Sequence, residues 1–81
     1  MDNEHNKDKT NEILINLGKR IKELRLERKW TQEKFAEIAK INDKEVSHIE
    51  AGRRNITIDT LVKIANSFNT LPYILLREST D

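Results

Sequence analysis

The sequence predicts an all-α fold of five helices. Apolar residues recur at spacings of three and four along most of the chain, as they do on the buried face of a helix. The arrangement that starts a helix, an N-cap residue flanked by an apolar pair, occurs three times. No alternating apolar and polar stretch is long enough to predict a strand. At 81 residues, the chain has the length of one small domain.

The composition narrows the classes of function. The chain has no cysteine, which excludes disulfides and thiolate metal sites. No apolar run approaches the roughly 20 residues of a membrane span, and the first residues lack the apolar segment of a secretory signal. We therefore expect a cytoplasmic protein that uses no cofactor, metal or membrane. We also expect no small-molecule ligand, because no segment after helix 5 could hold an effector.

Basic residues are clustered, although the net charge is only +1. Between positions 19 and 29, six basic residues stand against two acidic ones, and Arg53 and Arg54 form a second basic pair. Such clusters favour binding to a polyanion. A charged helix face exposed to water explains the first cluster equally well, so charge alone leaves both alternatives open.

The first helix follows a polar segment. Residues 1–10 are polar and lack periodicity, which predicts a disordered arm ahead of a domain over residues 11–81. From Asn11 to about Lys29, helical spacing of apolar residues predicts helix 1. These residues are Leu14, Leu17, Ile21 and Leu24.

Short helices follow, each with a recognisable start. Thr31 is a good N-cap, and Trp30 and Phe35 have the spacing of a hydrophobic staple, which predicts helix 2 over about residues 32–40. The same arrangement around Asn42 predicts the start of helix 3.

The remaining boundaries come from single residues. Gly52 is expected to end helix 3, and Thr57 is expected to cap helix 4. Pro72 suits the first position of a short helix 5. Helix 4 is expected to turn five residues inward, namely Ile58, Leu61, Ile64, Ala65 and Phe68.

Helices 2 and 3 have the pattern of a helix-turn-helix. Ala36 is small enough for two helices to cross closely, and Val46 and Ile49 can hold helix 3 against the core. The opposite face of helix 3 is then polar and points outward, as in helices that enter the major groove of DNA. Its residues are Asp43, Lys44, Ser47 and His48.

The stretches TQEKFAEIA and VSHIEAGRRNITIDTLVKIANSF resemble the lambda-repressor and Cro type of helix-turn-helix, also called the xenobiotic-response-element family. Within it, the chain is similar to short stand-alone regulators, including controller proteins of restriction–modification systems. The resemblance runs from about Leu17 to Leu76. It implies a compact five-helix, lambda-repressor-like DNA-binding domain and a transcriptional regulator.

The resemblance also implies roles for single residues. Phosphates of double-stranded DNA would be held by Thr31, Gln32 and Asn42 at the helix starts. Bases would be read from helix 3, and the loop after it would lie against the DNA backbone. The expected base-reading residues are Asp43, Lys44, Ser47 and His48, and those of the loop are Arg53, Arg54 and Asn55.

Several of these roles have plainer alternatives. Gln32 could be a solvent-facing helix residue, and Asp43 could interact only with the dipole of its helix. His48 could lie on a hydrated surface without touching a base. The sequence leaves these alternatives open.

Two further expectations concern structure. The resemblance implies that Arg25 and Glu50 form a mostly buried ion pair. Many relatives have glycine where this chain has Lys29 and Lys40. Either the two turns are shaped differently here, or the lysines adopt a positive φ at a cost of about 1 kcal/mol.

Helix 5 has more apolar residues than a two-turn helix can bury. Leu71, Tyr73, Ile74 and Leu76 are therefore expected to form a dimer interface. A two-fold homodimer would bind an imperfect palindrome. The alternative is a monomer in which helix 5 packs entirely onto helices 1 and 4.

The favoured function is a sequence-specific transcriptional regulator that binds a palindromic operator as a homodimer. Contact with RNA polymerase is open, since no sequence feature identifies such a patch. The alternative is an antitoxin-like protein-interaction module that also binds its own promoter. No enzyme is expected, because no nucleophile and base are paired and no phosphate-binding glycine loop occurs.

Overall fold

The computed structural model describes residues 3–77, and side chains from residue 9 onward. The described part is all-α, as predicted. Five helices occur in it, and their bounds are α1 Asn3–Glu27, α2 Gln32–Ala39, α3 Asp43–Glu50, α4 Ile58–Ser67 and α5 Pro72–Leu76.

Helix α1 starts earlier than the sequence predicted. The helix begins at Asn3, whereas the sequence predicted a disordered segment over residues 1–10 and a helix from Asn11. No glycine or proline occurs before Gly18, so nothing in the backbone stops a helix from continuing towards the N-terminus. Extending an existing helix costs little, because each added residue gains a hydrogen bond. Residues 1 and 2 lie outside the described residues, as do 78–81 of the predicted domain.

The helix starts agree with the predicted caps. The side-chain oxygens of Thr31 and Thr57 each accept a hydrogen bond from a backbone N–H of the first turn, at 3.0 and 3.1 Å. The Asn42 side-chain oxygen accepts one from the Lys44 N–H at 2.9 Å. The predicted staple is also present, since the Trp30 and Phe35 rings stack with centroids 6.3 Å apart.

The first four helices end in a shared way. A residue with positive φ closes each, and the next residue donates its N–H to a carbonyl five positions back, which is the Schellman arrangement. Only one closing residue is a glycine. The four are Lys29 at φ 59°, Lys40 at 62°, Gly52 at 74° and Asn69 at 55°. Both lysines thus adopt the positive φ that the sequence left open, and they tolerate the strained backbone.

The core lies between the helices. Helices α3 and α5 pack on α1, α2 packs on α3 and α4, and α4 packs on α5. The residues they bury are almost all apolar, namely Leu17, Ile21, Phe35, Ala36, Ala39, Val46, Ile49, Leu61, Ile64, Ala65, Phe68 and Leu75. This packing leaves one face of α3 free.

Ile58 corrects the prediction for α4. It was expected to point inward with its helical neighbours, but it is 74% exposed. Ile58 is the first residue of α4, and helical side chains lean towards the N-terminus of their helix. Its side chain therefore reaches past the core to the edge of an apolar groove, which Ile13 and Leu76 also line.

Candidate nucleic-acid interface

The two faces of α3 differ in burial. Val46 and Ile49 are 0% and 2% exposed and attach the helix to the core. The opposite side carries four exposed side chains, which are those predicted from the sequence: Asp43, Lys44, Ser47 and His48. We call these four residues the recognition surface. They combine donors and acceptors that can meet the edges of base pairs.

The start of α2 presents N–H groups that the helix itself does not use. The hydroxyl oxygen of Thr31 accepts a hydrogen bond from the Lys34 N–H, which leaves the hydroxyl hydrogen available to donate. Thr31 is exposed. An anion at this end would also interact favourably with the helix dipole.

Asn42 has the same position at the start of α3. Its side-chain oxygen accepts from the Lys44 N–H, so the amide NH₂ group of this exposed residue points away from the cap bond. An NH₂ group is a donor and can bind a phosphate oxygen. The starts of α2 and α3 therefore have similar chemistry.

Gln32 contacts another side chain of the domain. It is half-buried, and its amide nitrogen donates to Glu50 Oε1 at 3.2 Å. The sequence predicted a phosphate contact for this side chain. The contact with Glu50 has no sequence signal, because the two residues are distant in the chain and each type is common at exposed helix positions. One amide hydrogen of Gln32 remains for a second acceptor.

The ion pair implied by the family resemblance is present. Arg25 Nε donates to Glu50 Oε2 at 2.7 Å, and Arg25 Nη2 donates to Oε1 at 3.0 Å. The two side chains are 9% and 4% exposed. Arg25 Nη1 also donates to the Trp30 carbonyl at 2.7 Å. This two-pronged geometry ties the last residue of α3 to α1 and to the turn before α2.

The loop between α3 and α4 carries the three remaining residues of the predicted site. The Arg53 N–H donates to the His48 carbonyl at 3.0 Å, which fixes the start of the loop against α3. The three side chains predicted for backbone contact are all exposed, namely Arg53, Arg54 and Asn55. Two exposed arginines thus follow α3 closely in the chain and carry positive charge.

Exposed apolar residues occur on α4 and around α5. On α5, Leu75 is buried and Ile74 is half-buried. The other predicted interface residues are exposed, and α4 adds two apolar side chains that the sequence did not predict as exposed. We call the five the α4–α5 surface: Ile58, Val62, Leu71, Tyr73 and Leu76.

The described helices also include none that is both long enough and apolar enough to cross a membrane.

The fold and the recognition surface together define a helix-turn-helix DNA-binding domain. The family described as "Helix-turn-helix domain" matches residues 18–78. The chain belongs to this family.

Two curated relatives are similar in sequence. The HTH-type transcriptional regulator ImmR of Bacillus subtilis is 37% identical over 62 residues, which cover 76% of this chain and 49% of ImmR. The chain therefore spans about half the length of that relative. Control protein C.BamHI of Bacillus amyloliquefaciens is 32% identical over 72 residues, which cover 88% of this chain and 89% of C.BamHI.

Two solved structures share the fold. The restriction-modification controller protein C.AhdI from Aeromonas hydrophila matches with a TM-score of 0.73 and 29% identity over 76% of this chain and 94% of its own. The hypothetical transcription factor NHTF from Neisseria matches with a TM-score of 0.76 and 26% identity, over 80% and 75% of the two chains. The chain is thus a helix-turn-helix DNA-binding protein that is similar to transcriptional regulators and to controller proteins, which are classes without enzymatic activity.

Proposed function

We propose that the chain binds an imperfectly palindromic operator as a homodimer, with α3 of each copy in the major groove. The observation that carries the proposal is the division of α3 into a buried apolar face and an exposed polar face. A helix held in this way presents its outer side chains at a fixed height above the domain. Such a surface suits the major groove, whose floor displays a distinct pattern for each base pair.

The recognition surface would supply the base contacts. Lys44 can donate to O6 and N7 of guanine, and Asp43 can accept from the N4 amino group of cytosine. Ser47 and His48 can each donate or accept, depending on the base. Side chains from one turn and the next of α3 would then read neighbouring base pairs.

Phosphate contacts would hold α3 in register. The starts of α2 and α3 offer Thr31, Asn42 and free backbone N–H groups, and Gln32 retains one amide hydrogen. Arg53, Arg54 and Asn55 would lie along the backbone beside the groove. These contacts contribute affinity with little sequence preference, and they weaken as salt is added.

The α4–α5 surface would join the two copies. Exposed apolar side chains gain free energy when a partner covers them. A two-fold axis through this surface would bring together the same residues from both copies. The two recognition helices should then be separated by about one DNA turn, or about 34–36 Å. Operator occupancy would rise with protein concentration, since dimer formation and DNA binding are linked.

The test is a selection of duplexes from a random pool by the full chain, followed by titration of variants on the selected duplex. Lys44→Ala and His48→Ala should each weaken binding to the operator by about 1–3 kcal/mol. They should hardly change the affinity for unrelated duplexes. Arg53→Ala should weaken binding to both kinds of duplex by a similar amount. It should also lower the slope of log affinity against log salt concentration by about 1.

Two results would oppose the proposal. One is a pool without enriched sequence and with only weak, salt-sensitive binding. The other is an equal loss for Lys44→Ala on operator and unrelated DNA, because this would give Lys44 a phosphate role. Glu37→Ala on the exposed face of α2 is a suitable control, since it also removes a charge but lies outside the proposed contacts.

A further inference from the structure

Gly18 is an exception to the local sequence pattern. It lies within α1, far from either end, and it is buried. Glycine inside a helix is destabilising relative to alanine, because it loses more backbone freedom on folding. Its φ is not positive, so the backbone conformation does not require glycine. The reason for a glycine must therefore lie in the packing around it.

The packing is close on one side. A methyl group at Gly18 would lie 2.7 Å from the carbonyl oxygen of Glu50 and nearer still to that of Ile49. Ordinary contacts of this kind begin at 3.4 Å, so the Glu50 oxygen would have to move by more than half an ångström. Both atoms belong to the backbone of α3 and cannot turn aside as a flexible side chain can. The C-terminal end of α3 thus lies directly on the backbone of α1.

The same face of α1 also binds this end of α3 through a side chain. Gly18, Ile21 and Arg25 follow one another at helical spacing, so they share a face. Ile21 is fully buried, and Arg25 binds the Glu50 carboxylate. The side-chain ion pair therefore acts at the same α3 residue whose carbonyl approaches Gly18.

We infer that Gly18 is a positioning residue for DNA recognition. Its missing side chain sets how deeply α3 packs on α1, and so sets the height of Lys44 and His48 above the domain. Groups that bind with specificity need placement within about 0.5 Å, which is smaller than the movement that a methyl group at position 18 requires. The inference rests on the proposed function, because it assumes that α3 reads an operator.

The test compares Gly18→Ala with Asn11→Ala, an exposed and uncharged position on the same helix. Asn11→Ala should raise the melting temperature slightly through helix propensity. Gly18→Ala should lower it, and the folded protein should lose about tenfold to a hundredfold in operator affinity. When Lys44→Ala is added to Gly18→Ala, the further loss of operator affinity should be smaller than the loss that Lys44→Ala causes in the parent protein. The reason is that Lys44 is already displaced.

The outcomes separate the inference from the proposed function. A parent protein that selects no operator contradicts the proposed function. If the parent binds and Gly18→Ala matches its affinity in the folded state, Gly18 is only structural and the inference is overturned. A melting temperature that rises as in Asn11→Ala also overturns it, because the close approach would not exist.

A folding defect can be countered in the same chain. The variants are repeated with Lys29→Gly and Asn69→Gly, which relieve positive φ at two helix ends away from Gly18. The inference is supported if Gly18→Ala folds in this background but binds the operator less tightly, and if Lys44→Ala then causes little further loss of affinity. Failure to fold even in this background counts against it, because position 18 would then control folding as a whole.

Discussion

The recognition surface and the α4–α5 surface are both exposed, but their chemistry and support differ. The first is polar and lies on an eight-residue helix whose last residue is bound to α1 and to the start of α2. The second is apolar and lies partly on a five-residue helix whose N-cap makes no side-chain hydrogen bond. The first is anchored by an ion pair and a side-chain hydrogen bond, whereas the second is held by apolar packing of α5 on α1 and α4.

The difference indicates what each surface requires. Exposed polar side chains are hydrated by water, so the recognition surface is stable without a partner. Exposed apolar side chains gain roughly 25 cal/mol for each square ångström that a partner covers. If a second copy covers the α4–α5 surface, the free energy of unfolding of the protein should depend on protein concentration.

The largest loss of stability is expected when the ion pair that anchors α3 is removed. Glu50→Ala leaves the buried Arg25 guanidinium without its carboxylate partner, with only the Trp30 carbonyl as acceptor, and should cost about 3–5 kcal/mol of unfolding free energy. In so small a domain, this could unfold most of the protein at 25 °C. Urea denaturation followed by circular dichroism measures the loss.

The matched control for Glu50→Ala is Asp59→Ala. It removes the exposed Lys63–Asp59 pair, whose side chains are 45% and 76% exposed, and should cost at most about 1 kcal/mol. Similar losses for the two variants would mean that the Arg25–Glu50 pair does not hold α3 in place.

A smaller effect is expected at the α4–α5 surface. Tyr73→Asp places a charge on a side chain that is 63% exposed, so it should change the fold little. It should weaken self-association by about 2 kcal/mol or more, since tyrosines in the centre of interfaces often contribute this much. Sedimentation equilibrium measures the dimer constant.

Leu26→Asp is the control for this variant, because Leu26 is also exposed, at 53%, but lies on α1 outside the α4–α5 surface. Equal dimer constants for Tyr73→Asp and the parent protein would place the interface elsewhere or make the protein monomeric.

The smallest effect concerns the turn between the helices of the motif. Lys40 has a φ of 62°, so Lys40→Gly should stabilise the protein by about 1 kcal/mol and raise the melting temperature by several degrees. Lys22→Gly, at an exposed position inside α1, should instead destabilise it by about 1 kcal/mol. A melting temperature that stays the same or falls for Lys40→Gly would show that position 40 is not left-handed in solution.

The helix starts could be predicted from the sequence, because caps act through the side chains of Thr31, Asn42 and Thr57. The helix ends were harder to predict, because a Schellman turn is made by backbone atoms. Lys29 and Lys40 give no sequence signal for such a turn, whereas a glycine would. The recognition surface follows from the spacing of buried residues on α3. The Gln32–Glu50 contact and the close approach at Gly18 depend on how helices distant in sequence meet, which no local pattern records.

Two errors share a cause. Helical spacing indicated which residues are inward, but it did not indicate where the core ends, so Ile58 was wrongly placed inside. Polar composition and missing periodicity predicted a disordered arm over residues 1–10, but they did not indicate that α1 begins at Asn3. In both cases, the periodicity of apolar residues indicates which side of a helix is buried, but it does not indicate at which residue the helix or the core ends.

The most direct measurement of the division between the two surfaces is the affinity of parent and Tyr73→Asp for a full operator and for a single half-site. The parent should bind the full operator much more tightly than the half-site, because two linked recognition helices bind together. Tyr73→Asp should lose this advantage at low protein concentration while matching the parent on the half-site. An equal loss on both duplexes would contradict the account, since the α4–α5 surface would then affect base recognition itself.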